Sequence, residues 1–227
     1  MYVCVRSTIK IMKKDDYDSL IKAAIKSFWE TKQKQLTSSG DSSNRGAVVG
    51  GNELDAFADL LRTIAIEQGV PEECIYTKQA YLPGYFRSSK DWDVLIIAPN
   101  NKLIAAVELK SQIGSYGNNF NNRAEEAIGS AVDLWTAFRE NQFPGQTAPW
   151  IGYITIVGKD EGSTNLVRNN EPHYPVLSEF KTASYLDRYR ILCQKLILER
   201  HYSMAALIST SGKDNYEDVS EDTSIEK

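Results

Sequence analysis

Three charged residues are spaced so that a β-hairpin would bring them to one face. Glu108 and Lys110 are separated by one residue on a predicted strand, so their side chains point to the same side of that strand. A turn centred between residues 100 and 101 pairs positions whose numbers sum to about 201. This register places Asp93 opposite Glu108. Two carboxylates and one ammonium group are therefore expected to converge.

This combination of groups suits the hydrolysis of a phosphodiester. Facing carboxylates repel each other, yet they form a site for a hard divalent cation that prefers oxygen ligands, and Mg²⁺ fits best. Lys110 has three possible roles beside them: to orient the attacking water, to deprotonate it, or to stabilise the charge that builds on the phosphate. The predicted chemistry is metal-dependent phosphodiester hydrolysis.

The alternative is that Asp93, Glu108 and Lys110 form a solvated ion-pair face of an edge hairpin. The flanking sequence favours a site instead. The runs VLIIA and LIAAV are almost continuously apolar, which is typical of strands buried on both faces, where an unpaired charge is costly.

The elements that must position these residues follow from hydrophobic periodicity and from turn signals. Loops are expected over 37–52 and 112–123, because both segments are rich in Ser, Gly or Asn. The element order α-α-β-β-β-α-β-α predicts an α/β fold with a mixed sheet flanked by helices. Helices are predicted over 15–36, 53–68, 124–140 and 184–208, and strands over 75–82, 92–98, 102–110 and 150–157.

Length and composition indicate one globular domain over 1–210. Residues 213–227 carry six of the 30 acids and two of the 26 bases, which leaves 24 of each in the body. We expect 211–227 to be a disordered acidic tail, and the neutral body to be able to hold a basic cleft. A lysine-rich N-terminus and the lack of any run long enough to cross a bilayer predict a cytoplasmic protein without a membrane partner. Three widely separated cysteines suggest neither disulfides nor a zinc site.

The motif Asp93-x14-Glu108-x-Lys110 resembles that of the PD-(D/E)xK nucleases, with Trp92 in place of the usual proline. Longer runs are more specific: NRGAVVGG, LPGYFR, WDVLII, VELKSQIG, YGNNFNNRAEEAIGSAVDLWTAFRE and EPHYPV. Together they cover most of residues 20–210 and resemble the XhoI-type type II restriction endonucleases. The resemblance implies a homodimeric, Mg²⁺-dependent enzyme that cuts double-stranded DNA at the palindrome CTCGAG. It also implies a protecting DNA methyltransferase in the same system.

Supporting residues are expected around this core. PD-(D/E)xK nucleases often add an acid from a preceding helix, so Glu53 or Asp55 is a candidate, and Asp55 is chosen as a further metal ligand; acids at a helix N-terminus also favour its dipole without catalysis. Amide and guanidinium groups suit adenine and guanine edges in the major groove, although asparagine is also common in turns. The predicted DNA-binding residues are Gln112, Asn118, Asn119, Asn121, Asn122 and Arg123, with help from Arg45 or Arg87.

Two other interpretations use the same residues. A nuclease of this fold that acts on DNA structure or damage would have the same site, and a binding-only protein would have lost catalysis. The presence of all three charged residues argues against the second. His173 and His201 lie on unrelated segments without metal-ligand spacing, so a histidine-based site is not expected.

Overall fold

The computed structural model describes residues 14–38 and 53–218. It has five α-helices in this part of the chain: α1 Lys14–Ser38, α2 Asp55–Glu67, α3 Tyr116–Arg139, α4 Glu161–Thr164 and α5 Tyr185–Leu198. Its strands are β1 Ile75–Tyr76, β2 Tyr81–Leu82, β3 Lys90–Asp91, β4 Val94–Ile97, β5 Leu103–Gln112, β6 Trp150–Gly158, β7 Met204–Gly212 and β8 Asn215–Asp218. Two short 3₁₀ helices cover Glu72–Cys74 and Ser178–Phe180.

Six strands form one mixed sheet in the order β1-β4-β5-β6-β7-β8, which confirms the predicted α/β class. The central strands β5, β6 and β7 run parallel, and the outer neighbours pair antiparallel. Strands β2 and β3 form a separate antiparallel hairpin. The apolar cores on the two faces of the sheet are covered by different helices, with Phe28 of α1 and Phe57 of α2 in one core and Leu134 of α3 and Tyr189 of α5 in the other.

The hairpin register that the site requires is confirmed. Val94 pairs with Val107 and Leu95 pairs with Ala106, so the partner numbers sum to the expected value. The side chains alternate as predicted, because Val107 and Leu109 pack in the core with α1 and α2 while Ala106 packs in the core with α3. Glu108 therefore points towards the α3 side.

The predicted strand over 75–82 is wrong as a single element. It divides into β1 of the large sheet and β2 of the small hairpin, and Gln79 between them has a positive φ of 52°. This left-handed residue redirects the chain, so the segment cannot pair along one sheet. The predicted strand over 92–98 is shorter than expected and begins at Val94.

The predicted loop over 112–123 is also wrong, because α3 already begins at Tyr116. Tyr116 and Phe120 are buried one helical turn apart and continue the apolar stripe of Ala127 and Ala131. Their burial overrides the weak helix propensity of the glycine and asparagines between them. The four asparagines and Arg123 consequently lie on a helix.

The predicted terminal helix over 184–208 ends at Leu198. Arg200 has a left-handed φ of 58°, and the chain then returns as β7, which pairs parallel with β6. Strand β8 follows and pairs with β7, so the described part of 211–227 is not the disordered tail that charge alone suggested. Residues 219–227 lie outside the described residues.

Candidate active site

Glu108 is the buried centre of the charged cluster, with only 4% of its side chain exposed. Lys110, two residues further along β5, forms an ion pair with Oε1 of Glu108. Lys90 of β3 forms a second ion pair, with Oε2. Tyr153 is the strand partner of Glu108 on β6 and is also buried, so a charged carboxylate at this position needs its two cations.

Asp93 lies directly before β4 and faces β5. Its backbone N–H donates to the carbonyl of Val107 at 3.2 Å, and its Oδ2 accepts the N–H of Leu109 at 2.7 Å. These two contacts hold the Asp93 carboxylate against β5 at Leu109, the residue that follows Glu108.

The pKa of Asp93 is raised from 3.8 to about 6, mainly by burial and also by the negative charge of Glu108. The N–H of Leu109 and the ammonium groups of Lys110 and Lys90 act in the opposite direction. The Asp93 carboxylate is thus held in a place where its own charge is unfavourable. A divalent cation between the two carboxylates would relieve this repulsion, and both groups offer the hard oxygen donors that Mg²⁺ prefers.

Asp93 opens into a cleft of about 270 Å³ beside α2. Asp55, in the first turn of α2, lines the same cleft together with Asp91 and Trp92. Among the described residues, however, no three His, Cys, Asp or Glu side chains lie close enough to hold a metal ion together. The structure thus places Asp55 in the cleft that Asp93 lines, and the charge of Glu108 acts on Asp93 from β5.

Glu53 has a structural setting of its own. Its buried carboxylate accepts a hydrogen bond from the hydroxyl of Ser111 and pairs with Lys32 of α1. Ser111 lies on the same face of β5 as Leu109, away from Glu108 and Lys110. Gln112 points to the Glu108 side and donates from Nε2 to the carbonyl of Gly114 at 2.6 Å.

The five predicted DNA-binding residues on α3 fall into two groups. Asn118, Asn121 and Asn122 are exposed on its first two turns. Asn119 instead donates its amide to the carbonyl of Ser115 at 3.0 Å, and Arg123 pairs with Glu126 of its own helix.

Of the two remaining arginines, Arg45 lies outside the described residues. The Nε of Arg87 donates to the buried carboxylate of Asp133 on α3 at 2.8 Å. Burial alone would raise the pKa of Asp133, but the N–H of Phe86 and the charge of Arg87 lower it. Arg87 therefore anchors the turn between β2 and β3.

Sequence reasoning missed Lys90. It lies on a short strand of the other sheet, in a segment without periodicity, and only the fold brings it to Glu108. His173 and His201 lie on separate segments, and Cys74 and Cys193 are free and buried. Within the described ranges, no helix is long and apolar enough to cross a membrane.

Comparison with known proteins assigns this chain to a family. The family described as restriction endonuclease XhoI matches residues 32–221. Type II restriction enzyme BstVI of Geobacillus stearothermophilus is 47% identical over 174 residues, which are 74% of this chain and 78% of the relative. Type II restriction enzyme XhoI of Xanthomonas vasicola is 45% identical over 191 residues, 81% and 77% of the two chains. Type II restriction enzyme AbrI of Azospirillum brasilense is 38% identical over 166 residues, 70% and 74% of the two chains.

The relatives that match this chain all belong to one class of enzyme. The chain belongs to the XhoI restriction endonuclease family and is a type II restriction enzyme, a site-specific endonuclease that acts on DNA. No solved structure matches the chain.

Proposed function

We propose that this enzyme hydrolyses double-stranded DNA at the palindrome CTCGAG, with Mg²⁺ as cofactor and a PD-(D/E)xK active site. The observation that supports the proposal is the hairpin of β4 and β5, in which Val94 pairs with Val107, Asp93 accepts the N–H of Leu109 and Lys110 pairs with Glu108. The proposed DNA substrate is based on membership of the XhoI family, and the proposed recognition sequence is based on the resemblance of the long motifs.

Each residue of the cluster has a distinct role in this proposal. Asp93 and Glu108 would hold the Mg²⁺, and the bound ion would supply Lewis-acid charge beside the scissile phosphate. Lys110 keeps an ammonium group next to the ligand Glu108, where it would stabilise the negative charge that builds on the phosphate. Asp55 lines the same cleft as Asp93. From there it would contact the Mg²⁺ as an outer ligand or through a water molecule.

A digest of a sequenced plasmid tests this function. The proposal predicts discrete fragments in Mg²⁺, none in excess EDTA, and fragment ends that all map to CTCGAG. Discrete fragments that map to another sequence would refute the recognition site and keep the chemistry. A smear, or cutting only at branched or damaged positions, would favour a structure-directed nuclease, and binding without cutting would favour an inactive DNA-binding protein.

We further propose that the exposed face of α3 reads bases. This helix follows β5 after only three residues, so its first turns lie close to the strand that carries Glu108 and Lys110. Asn118, Asn121 and Asn122 share one side of the helix, because they are three and four residues apart. An asparagine amide can donate to and accept from an adenine edge.

Replacing Asn121 or Asn122 by Ala is therefore expected to cost roughly 1–3 kcal/mol of discrimination at one base pair. The measurement is cleavage of CTCGAG and its single-base variants at fixed salt. Asn119→Ala is the matched control, because the Asn119 amide bonds to its own helix. If the control and both test variants keep the wild-type discrimination pattern, α3 does not read the bases.

We predict that the active enzyme is a homodimer. A palindrome presents the same contacts twice, and a two-fold symmetric protein matches it most simply. The apolar stripe of α5 is not available for this contact, because Tyr189, Leu192 and Leu196 are buried within the chain. Light scattering is expected to give twice the mass of the 25.5 kDa chain when a CTCGAG duplex is bound, after subtraction of the DNA. A single chain on the duplex would refute the prediction.

The cellular setting completes the proposal. A cytoplasmic restriction enzyme has access to the host chromosome, so host sites need protection. We propose that a DNA methyltransferase of the same system modifies CTCGAG and is a functional partner of this enzyme. Methylation of the plasmid at that site by such an enzyme is expected to block the digest.

A further inference from the structure

Lys90 is held at the active site by a hairpin that is separate from the main sheet. It pairs with Leu82 across β2 and β3, and the turn between these strands is fixed to α3 through Asp133. The carboxylate of Asp133 accepts the N–H of Phe86 at 2.7 Å. Gly84 lies so close to Asp133 that an added Cβ would be 2.2 Å from Oδ2. The position of Lys90 is therefore set in part by α3 and by the hairpin, which does not pair with β5.

The Lys90 ammonium group contacts three partners. It pairs with Oε2 of Glu108, donates to the carbonyl of Asp91 at 3.0 Å, and lies 4.6 Å from the centre of the Trp92 ring. Its side chain is only 11% exposed. The carbonyl and the ring favour a cation with or without Glu108, so they offer Lys90 a resting position when the carboxylate is used elsewhere.

The charges of the cluster are balanced without a metal ion. Asp93 and Glu108 carry two negative charges, and Lys90 and Lys110 carry two positive charges. Both oxygens of Glu108 are occupied by ammonium groups. A divalent cation that binds to Glu108 therefore competes with these ammonium groups, and the proposed role of Lys110 at the phosphate requires that Lys110 remain.

We propose that Lys90 is a positioning residue that pairs with Glu108 in the metal-free enzyme and releases Glu108 when a divalent cation binds. This inference rests on the proposed function, because it assumes that Glu108 is a metal ligand. Lys90 has two effects in this scheme. Before the metal binds, Lys90 compensates the negative charge of the buried Glu108 carboxylate. It also competes with the metal for the same oxygen.

The test is the binding of Ca²⁺ alone to the full-length protein, measured by isothermal titration calorimetry without DNA. Lys90→Met and Lys90→Gln both remove the competing charge and are expected to tighten Ca²⁺ binding on the order of tenfold. Lys90→Arg keeps the charge and is expected to bind Ca²⁺ like the wild type. Lys102→Met, at an exposed turn lysine, is the matched control and is expected to change nothing.

Thermal unfolding provides a second measurement, and its expected dependence on Ca²⁺ would not result from a simple loss of packing. Without metal, Lys90→Met is expected to have a lower Tm than the wild type, because Glu108 loses a buried partner. Saturating Ca²⁺ is expected to raise the Tm of this variant by more than it raises that of the wild type. Unchanged or weaker Ca²⁺ binding in both neutral variants would overturn the proposal.

Glu108→Gln separates this failure from a failure of the proposed function. If the wild type binds Ca²⁺ and Glu108→Gln does not, the metal site stands, and the Lys90 variants alone decide the role of Lys90. If Glu108→Gln binds Ca²⁺ as well as the wild type does, Glu108 is not a metal ligand, and both proposals are refuted.

Discussion

Glu108→Gln is expected to lower the single-turnover rate of DNA cleavage by about 10³-fold or more, with DNA affinity within a few-fold of the wild type. The amide has nearly the shape of the carboxylate but lacks its charge, so it is a poor ligand for Mg²⁺ and cannot pair with Lys90 and Lys110 as the carboxylate does. Loss of a group that acts in the transition state reduces the rate far more than the affinity.

The measurement is cleavage of a CTCGAG duplex by excess enzyme, together with a gel-shift assay in Ca²⁺. Glu140→Gln is the matched control, because this exposed glutamate lies at the far end of α3 and should cut like the wild type. Circular dichroism checks that Glu108→Gln is folded. Cleavage at the wild-type rate by the folded variant would remove Glu108 from the active site.

Asp93→Asn is expected to have two opposite effects, a loss of cleavage of about 10³-fold and a gain in the stability of the metal-free protein. Burial and the charge of Glu108 raise the pKa of Asp93 from 3.8 to about 6. An acid whose folded-state pKa is raised opposes folding once it is ionised, so its unfavourable contribution is absent well below pH 4 and complete above about pH 6. Two pKa units correspond to about 3 kcal/mol at neutral pH.

Asparagine removes this unfavourable charge and keeps an oxygen that can accept the N–H of Leu109. In EDTA, the Tm of Asp93→Asn is therefore expected to exceed that of the wild type by several degrees near pH 7.5 and to approach it near pH 4.5. Saturating Ca²⁺ should reduce the difference, because only the wild type gains a metal ion. A variant that is less stable than the wild type near pH 7.5 would show that the charge of ionised Asp93 does not destabilise the folded protein.

The hairpin of β4 and β5 could be predicted from the sequence because every signal for it is local. A turn around Asn100, two apolar runs and a two-residue side-chain period fix the register that pairs Val94 with Val107. Lys90 could not be predicted in the same way. Its contact depends on how a second hairpin packs against α3 through Asp133, which is a tertiary interaction between residues more than 40 positions apart.

The two misassigned segments have related physical causes. In 112–123, the glycine and asparagines suggested a loop, but Tyr116 and Phe120 at helical spacing were the stronger signal, because both are buried. In 204–208, a short apolar run fitted either a helix or a buried strand, and pairing with β6 decided the outcome. Both corrections matter for function, since the first places the candidate base-reading asparagines on a rigid helix that starts next to the active site.

The central claim is that Asp93 and Glu108 form one metal site, and a double-mutant cycle tests it most directly. Single-turnover cleavage of one CTCGAG duplex would be measured at saturating Mg²⁺ for the wild type, Asp93→Asn, Glu108→Gln and the double variant. If both carboxylates serve one metal site, the double variant is expected to cut no more than a few-fold slower than the slower single variant, because the site is already lost. A loss in the double variant equal to the product of the two single losses would show that the carboxylates act independently, and it would contradict the shared site.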